Sequence, residues 1–510
     1  MLHLAALLLV SSLPGSLCLW HAYNGTLHKL RGHAANHSTV HTDDLSMGGF
    51  PTKNLSCPSH IEATRPLSQE YISSKKLWPG LMKEFDMKHG ESLYGLQAGL
   101  DAIWKNQHPA NCSEAKFLVS GGWPYGFGSR IHVEGWGLAI AMELGRVYLL
   151  HPDGDNIFWE TNNPHCKSQG KSTLDCYYEP ASSCTIQDAL DAQHRDVNAF
   201  KVVHTSDFNS IFDDDESRSR VAALTSSQKG LNIVYTTGGG APKPARYVPR
   251  AIKQIVDCSP MQRDLHYYWW RAVSATYLLR PNSPTLAAMK KYRDQLPLPD
   301  NEQCIAMFVR HGDKGIEMQL IDFQVYADTA KMLWEQGYLP LHSRSTAGPS
   351  SIPGLNFSHS NPSQVYDPAV AAANEQQNCT IFVTTEDPAV IKQAQEWSQK
   401  GGSCSRVMFT TLYDRATSIM QYDWKTQQGR NKPAGHHDNE YLSMLLNLEY
   451  STRCEAWVCT MASNSCRVMD ELRATLGGKA NRYFADLSKE TCRKTPCFGT
   501  EDAEIYNFGE

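Results

Sequence analysis

The stretch Cys304-Ile-Ala-Met-Phe-Val-Arg-His-Gly-Asp-Lys-Gly-Ile-Glu317 decides the class of the fold. Its first half, residues 305–309, is a short apolar run of the length expected for a buried strand. Its second half turns abruptly polar and carries two glycines, as the loop leaving a parallel strand does. In open α/β sheets such loops lie at the carboxyl ends of strands, where ligands bind. Arg310, His311, Asp313 and Lys314 crowd together there, and Glu317 follows three residues later. Arg310 can fork onto phosphate oxygens, and each charge-assisted bond of that kind contributes roughly 1.5–3 kcal/mol. Glu317 is placed to act as a general base. An ordinary charged surface loop would have the same composition.

The pattern continues downstream. The spacing predicts a helix over 321–337, a strand at 380–385 whose end runs into Glu386-Asp387-Pro388, and a helix beyond that proline. A strand at 406–411, a helix at 439–450, a strand at 456–460 and a helix from 462 to 476 follow. Strands alternating with helices over this length predict a doubly wound parallel sheet of the α/β class. A Pro/Ser/Gly-rich segment at about 340–366 reads as an insertion between two of these elements.

Upstream, the strand 116–120 runs into Gly121-Gly-Trp-Pro-Tyr-Gly-Phe-Gly-Ser-Arg130, then a helix over 131–144 and a strand over 146–150. Helix N-termini after glycine-rich loops attract anions, so Gly126 and Gly128 are expected at a phosphate; a tight turn would need the same glycines. Residues 67–104 suit one or two helices, and 153–245 read as irregular. Within the latter, Asp213-Asp-Asp-Glu216 fits a solvated loop better than a metal site, so no metal is expected. The aromatic run from Tyr267 to Pro281 is a strongly apolar helix stopped by proline.

Composition bounds the rest. With 510 residues, 41% of them hydrophobic, 20% charged and a net charge of −5, the chain is globular and lacks the basic stripe of a nucleic-acid binder. Residues 4–13 are apolar and are followed by Pro14-Gly15-Ser16. This is the layout of a signal peptide over 1–18, and is short for the ~20 residues of a spanning helix, so an uncleaved anchor is the weaker reading. Six sequons, at Asn24, Asn36, Asn54, Asn111, Asn356 and Asn378, and 15 cysteines, 14 without Cys18, suit a glycosylated, disulfide-bonded protein of the secretory pathway. The cysteine connectivity stays open, and no CxxC pair suggests zinc. The expected organisation is a stem over 19–66, an N-terminal α/β domain over 67–299, a ligand-binding domain over 300–485 and a tail over 486–510.

Six blocks then gain meaning together: Tyr125-Gly-Phe-Gly-Ser-Arg130, Tyr178-Glu-Pro-Ala-Ser-Ser-Cys184, Trp269-Trp270 with Tyr277-Leu-Leu-Arg-Pro281, Val309-Arg-His-Gly-Asp-Lys314, Thr384-Thr-Glu-Asp-Pro388 and Val458-Cys-Thr-Met-Ala-Ser-Asn-Ser-Cys-Arg467. In this order, over roughly 116–485, they resemble the α-1,6-fucosyltransferase family, which includes the animal core fucosyltransferases and the rhizobial nodulation enzyme. The resemblance implies a GT-B fold with two facing domains, the second Rossmann-like. It implies inverting, metal-independent transfer of fucose from GDP-fucose to the core N-acetylglucosamine of an N-glycan, in the lumen of the Golgi or the endoplasmic reticulum. By the same resemblance, Arg310 grips the donor β-phosphate, Lys314 touches the diphosphate or sugar, and Glu317 deprotonates the acceptor. Tyr326 falls on a donor-site tyrosine, Glu386 and Asp387 on the acidic pair that positions the arginine, and Ser463 and Asn464 on a donor-binding pair. His311 and Asp313 lie inside the same donor loop.

Three departures stand out. Phe308 replaces a family histidine close to guanine, Asn447 aligns with an aspartate that reads the base, and Glu317 sits one residue nearer Lys314 than the family base. They keep open another nucleotide-sugar donor, a protein-hydroxyl acceptor, or a glycan-binding scaffold without catalysis. A second enzyme class also competes: Arg310-His311-Gly312 matches the nucleophile motif of histidine acid phosphatases, with His437-Asp438 as the distal pair. That reading makes His311 the phosphorylated residue and Glu317 irrelevant.

Overall fold

The computed structural model describes residues 57–120, 126–150, 164–169, 176–195, 200–204, 233–237, 248–261, 266–296, 303–316, 319–335, 379–400, 404, 406–412, 415 and 436–487. Contacts divide the chain at residue 51, and everything described belongs to the second unit, 52–510.

Two separate parallel sheets organise that unit. The first is built from β1 (Phe117–Ser120), β2 (Val147–Leu150), β3 (Phe200–His204) and β4 (Ile233–Thr237) in the order β2-β1-β4-β3. The second contains β5 (Cys304–Phe308), β6 (Thr380–Thr384), β7 (Arg406–Met408), β8 (Ala456–Cys459) and β9 (Phe484–Asp486) in the order β7-β6-β5-β8-β9. This is the expected doubly wound arrangement. The strand order reverses on either side of β5, which creates the crevice where such sheets take ligands. β3 and β4 fall inside 153–245, read from sequence as irregular. Each is five residues long, no shorter than β5 and β6, but neither stands in a run of strands alternating with helical spacing as those do.

The helices that position the cleft are α1 (Leu96–Gln107), α2 (Phe127–Glu143), α3 (His266–Leu278), α4 (Ser283–Arg293), α5 (Phe323–Glu335), α6 (Pro388–Gln399), α7 (His436–Arg453) and α8 (Asn464–Ala474). β5 shows how the sequence sorts them. Ile305, Met307 and then Val309 face a core shared with Tyr326 and Ala330 of α5 and Val390 of α6. Cys304, Ala306 and Phe308 face the opposite core, with Leu445 and Leu446 of α7 and Val468 of α8. Alternation on a pleated strand forces this split. Because both faces are covered, the run reads as continuously apolar. Each buried aliphatic or aromatic side chain of this kind contributes roughly 1.5–3 kcal/mol.

α2, α3 and α8 pack against one another, so the halves share a core rather than meeting at a thin hinge. The chain also crosses between them early. Leu93 donates its N–H to the carbonyl of Ala474, and Glu91 pairs with Lys479. Lys479, fully buried, donates to the carbonyls of Thr452, Arg453 and Cys454 at the end of α7 and meets Asp86 at 3.3 Å. Residues 57–66, placed in the stem by sequence, are folded here: a short helix, His60–Ala63, is capped by Ser59 and tied down by Cys57–Cys258. The other bonds are Cys112–Cys184, Cys166–Cys176, Cys304–Cys454, Cys379–Cys404 and Cys459–Cys466. Cys492 and Cys497 lie outside the described residues, as do the leader, the acidic run 213–216, the insertion 340–366 and every sequon except Asn111, which is exposed. No described helix is long and apolar enough to cross a membrane.

Candidate functional site

The cleft opens at the carboxyl ends of β5 and β6. β5 delivers Phe308 and, two residues on, Arg310; β6 delivers Thr384, Thr385 and Glu386. Phe127 at the start of α2 closes one side, and α7 and α8 close the others. Only 8% of Arg310 is exposed, and a buried charge must be paired or ligated. Its Nη1 donates to the Glu386 carboxylate and, at 2.8 Å, to the carbonyl of His311. The same Glu386 oxygen accepts the backbone N–H of His311 at 2.8 Å. One carboxylate thus holds both the guanidinium and the turn that carries it.

His311 has both ring nitrogens engaged. Nδ1 lies 2.9 Å from Asp387 Oδ2, and Nε2 lies 2.9 Å from the carbonyl oxygen of Ile321. A phosphorylatable histidine needs a lone pair aimed into the cleft, and neither nitrogen offers one. The side chain of His437, in the second half of the phosphatase motif, lies outside the described residues. Asp387 also caps α6, accepting the N–H of Ala389 at 2.8 Å. After His311 the chain reverses through Gly312 at φ +56°, a left-handed conformation for which glycine is the natural residue, and enters the turn Gly312–Ile316. Lys314 stands half-buried in that turn. Glu317 and the side chain of Asp313 lie outside the described residues.

Tyr326 approaches the loop from the opposite side of β5 and is not part of the cleft wall. It is 1% exposed and hydrogen-bonded to the backbone of Arg310; burial, with Glu386 and Asp486 adding to it, holds its phenol strongly in the neutral form. It buttresses the loop from beneath. Asn447 does face the cleft, and its Oδ1 accepts from Thr410 at 3.0 Å. Ser463 is the N-cap of α8 and makes no capping bond with its side chain. Asn464 opens the helix, and its Oδ1 faces His132 and Arg467. Gly126 is the N-cap of α2. Gly128 lies within α2, which begins four residues earlier than the helix start read from sequence. A Cβ there would come within 2.4 Å of the Asn464 carbonyl carbon, so the glycine lets the N-terminal turns of α2 and α8 touch.

Sequence reasoning missed several wall residues. Thr384 is 8% exposed and its hydroxyl has no hydrogen-bond partner among the described residues. Glu440, Met444 and Leu448 of α7 line the cleft beside the expected Asn447. Their i, i+4, i+8 spacing is the signal that would have found them. Among the described residues no group of three His, Cys, Asp or Glu side chains is placed to hold a metal ion.

No family model and no curated protein matches the chain. Solved structures do. The NodZ α-1,6-fucosyltransferase soaked with GDP-fucose is 12% identical, with 70% of this chain and 92% of that chain covered and a TM-score of 0.34. An Arabidopsis thaliana FUT1 mutant in complex with GDP is 12% identical over 84% of each chain, at a TM-score of 0.39. POFUT1 in complex with GDP-fucose is 13% identical over 74% of this chain and 99% of that one, at 0.38. The solved structures to which this chain is similar are thus fucosyltransferases, of low identity and modest superposition.

Proposed function

We propose that the protein is an inverting glycosyltransferase that takes its sugar from a nucleoside diphosphate, GDP-fucose fitting best. The observation that carries the reading is Arg310. A guanidinium nine-tenths buried at the strand-order reversal, clamped by Glu386 and facing an apolar cleft, is a costly arrangement that a diphosphate would repay. In the reaction the acceptor hydroxyl attacks the anomeric carbon as the bond to the diphosphate oxygen breaks. Glu317 takes the hydroxyl proton, and Arg310 and Lys314 stabilise the charge that builds on the leaving phosphate. The six ordered blocks favour an N-glycan core N-acetylglucosamine as acceptor. The leader and the sequons favour the secretory lumen.

Calorimetry with GDP, UDP, CDP and phosphate tests this, with Arg310→Ala alongside. Selective GDP binding that disappears in the folded variant is expected. Unchanged transfer activity in Arg310→Ala would sink the assignment, and tight binding of a different diphosphate would replace the sugar donor.

A further inference from the structure

Between the cleft and the shared core lies a cluster that the proposed chemistry does not use. His132 of α2, Arg271 of α3, and Asn464, Arg467 and Glu471 of α8 meet where the two halves pack. Arg271 Nη2 sits 2.7 Å from His132 Nε2 and 2.7 Å from Glu471 Oε1. His132 Nε2 is also 3.1 Å from Glu471 Oε2. On the other side of the ring, His132 Nδ1 is 3.2 Å from Asn464 Oδ1, and Arg467 Nη1 donates to that same oxygen at 3.2 Å.

Arginine only donates, and two arginines therefore fix the whole chain of bonds. The atom of Asn464 facing Arg467 must be the carbonyl oxygen. The ring atom facing that oxygen, Nδ1, must then carry a hydrogen. Nε2, closest to the Arg271 N–H, must accept. A second ring proton would point two donors at each other across 2.7 Å. The neutral Nδ1–H tautomer suits Asn464 and the 2.7 Å approach of Arg271 to Nε2, and it leaves Nε2 facing Glu471 Oε2 at 3.1 Å with no hydrogen between them; Arg271 Nη2 also lies 3.2 Å from Nδ1. Burial, reinforced by Arg271, pushes the His132 ring below its ordinary value, while Glu471 opposes this and Arg467 adds to it. Arg271 and His132 in turn hold the Glu471 carboxyl below its ordinary value in spite of its burial.

With its oxygen turned inward, Asn464 has its NH2 group without a partner among the described residues, at the N-terminus of α8. We infer that His132 is a positioning residue: as the Nδ1–H tautomer it locks the Asn464 amide so that its two N–H bonds face an anionic substrate group, coupling the first half of the chain to the donor loop. The inference rests on the nucleotide-sugar reading for the identity of that group, a phosphate oxygen. Adding a proton to Nε2 keeps Nδ1–H but sets two donors against each other at Arg271, which displaces the ring from Asn464, so donor affinity falls in acid.

Two measurements on the full chain separate this from the functional reading. 15N-histidine spectra of wild type against His132→Asn at pH 7.5 identify the ring. An Nδ1–H signal absent from the variant is expected, and an Nε2–H or doubly protonated ring would overturn the inference whether or not nucleotide binds. GDP titrations from pH 5 to 8 then compare wild type, His132→Asn, whose amide N–H stands where Nδ1–H stood, and His132→Leu. Wild type should weaken on acidification, and His132→Leu should bind about tenfold more weakly than wild type at pH 7.5, with the gap closing toward pH 5. His132→Asn should recover most of that loss and flatten the acid limb. A folded His132→Leu that binds as wild type does, or an Asn variant no better than Leu, overturns the positioning role. If wild type binds no nucleoside diphosphate, the functional reading falls, and the spectra alone decide the tautomer.

Discussion

Glu386→Gln is the sharpest perturbation of the candidate site. Arg310 and Glu386 have side chains 9% and 6% exposed, so little solvent screens them. Removing one member of such a pair leaves the other charge buried alone, which typically costs about 3–5 kcal/mol. Glutamine keeps an oxygen for the His311 N–H and loses the charge opposite the guanidinium, so the lower end of that range, about 3 kcal/mol, applies. Glu386→Ala also leaves the His311 N–H unsatisfied, which adds roughly 1–3 kcal/mol. Denaturant unfolding of wild type, the two single variants Arg310→Ala and Glu386→Ala, and the double variant measures the pair directly. The coupling between the single variants should exceed about 1.5 kcal/mol, with the double variant more stable than the sum of the two losses implies. GDP titration of Glu386→Gln should show weaker binding even where the protein is fully folded, because Arg310 is no longer aimed. A loss below about 1 kcal/mol together with unaltered GDP affinity would refute the clamp, since it would put the pair in the range of a solvated surface contact.

Other variants test the frame around the site. Gly128→Ala should destabilise by roughly 1–3 kcal/mol, because its Cβ would collide with backbone rather than a yielding side chain; a thermal midpoint equal to wild type would contradict the α2–α8 contact. Lys479→Met removes the fully buried ammonium that ties three carbonyls of α7 to Asp86 and Glu455, and should cost about 3–5 kcal/mol in a denaturant titration. The depressed His132 has a defined sign. The unfolded ring takes a proton first, so its stabilising contribution is intact above the ordinary value of 6.5 and declines as pH falls from there toward the folded value. The decline is about 1.4 kcal/mol for each pH unit separating the two values. Thermal midpoints from pH 7.5 to 5 should therefore drop more steeply in wild type than in His132→Asn, and parallel curves would refute the linkage.

The residues of 304–317 carried the fold class because a strand covered on both faces has to be apolar at every position, and a ligand loop has to turn polar where it leaves the sheet. Ile305, Met307 and Val309 on one side, with Cys304, Ala306 and Phe308 on the other, satisfy the first condition by sequence alone. Arg310, His311 and Gly312 satisfy the second. Local patterning also placed α3, α5, α7 and α8 to within a few residues, since helix faces repeat over three or four positions. β3 and β4 escaped it. Their place is set by pairing with each other and, through β4, with β1, which lies far away in sequence.

The site divides along the same line. A phosphate-gripping role for Arg310 was a reading of its residue type, and its pairing with Glu386, 76 positions on, came only from the family resemblance. That one Glu386 oxygen holds both the guanidinium and the His311 N–H, that both His311 nitrogens are occupied, and that Tyr326 supports the loop from the far face of β5 were decided by tertiary structure. So was the role of Gly128, whose missing side chain matters only because Asn464, 336 residues later, stacks against it. A sequence fixes what each residue can donate, accept, bury or charge. Which partner arrives to take up that capacity depends on the packing of α2, α3 and α8 across the two halves, and no local pattern encodes a contact over such a separation.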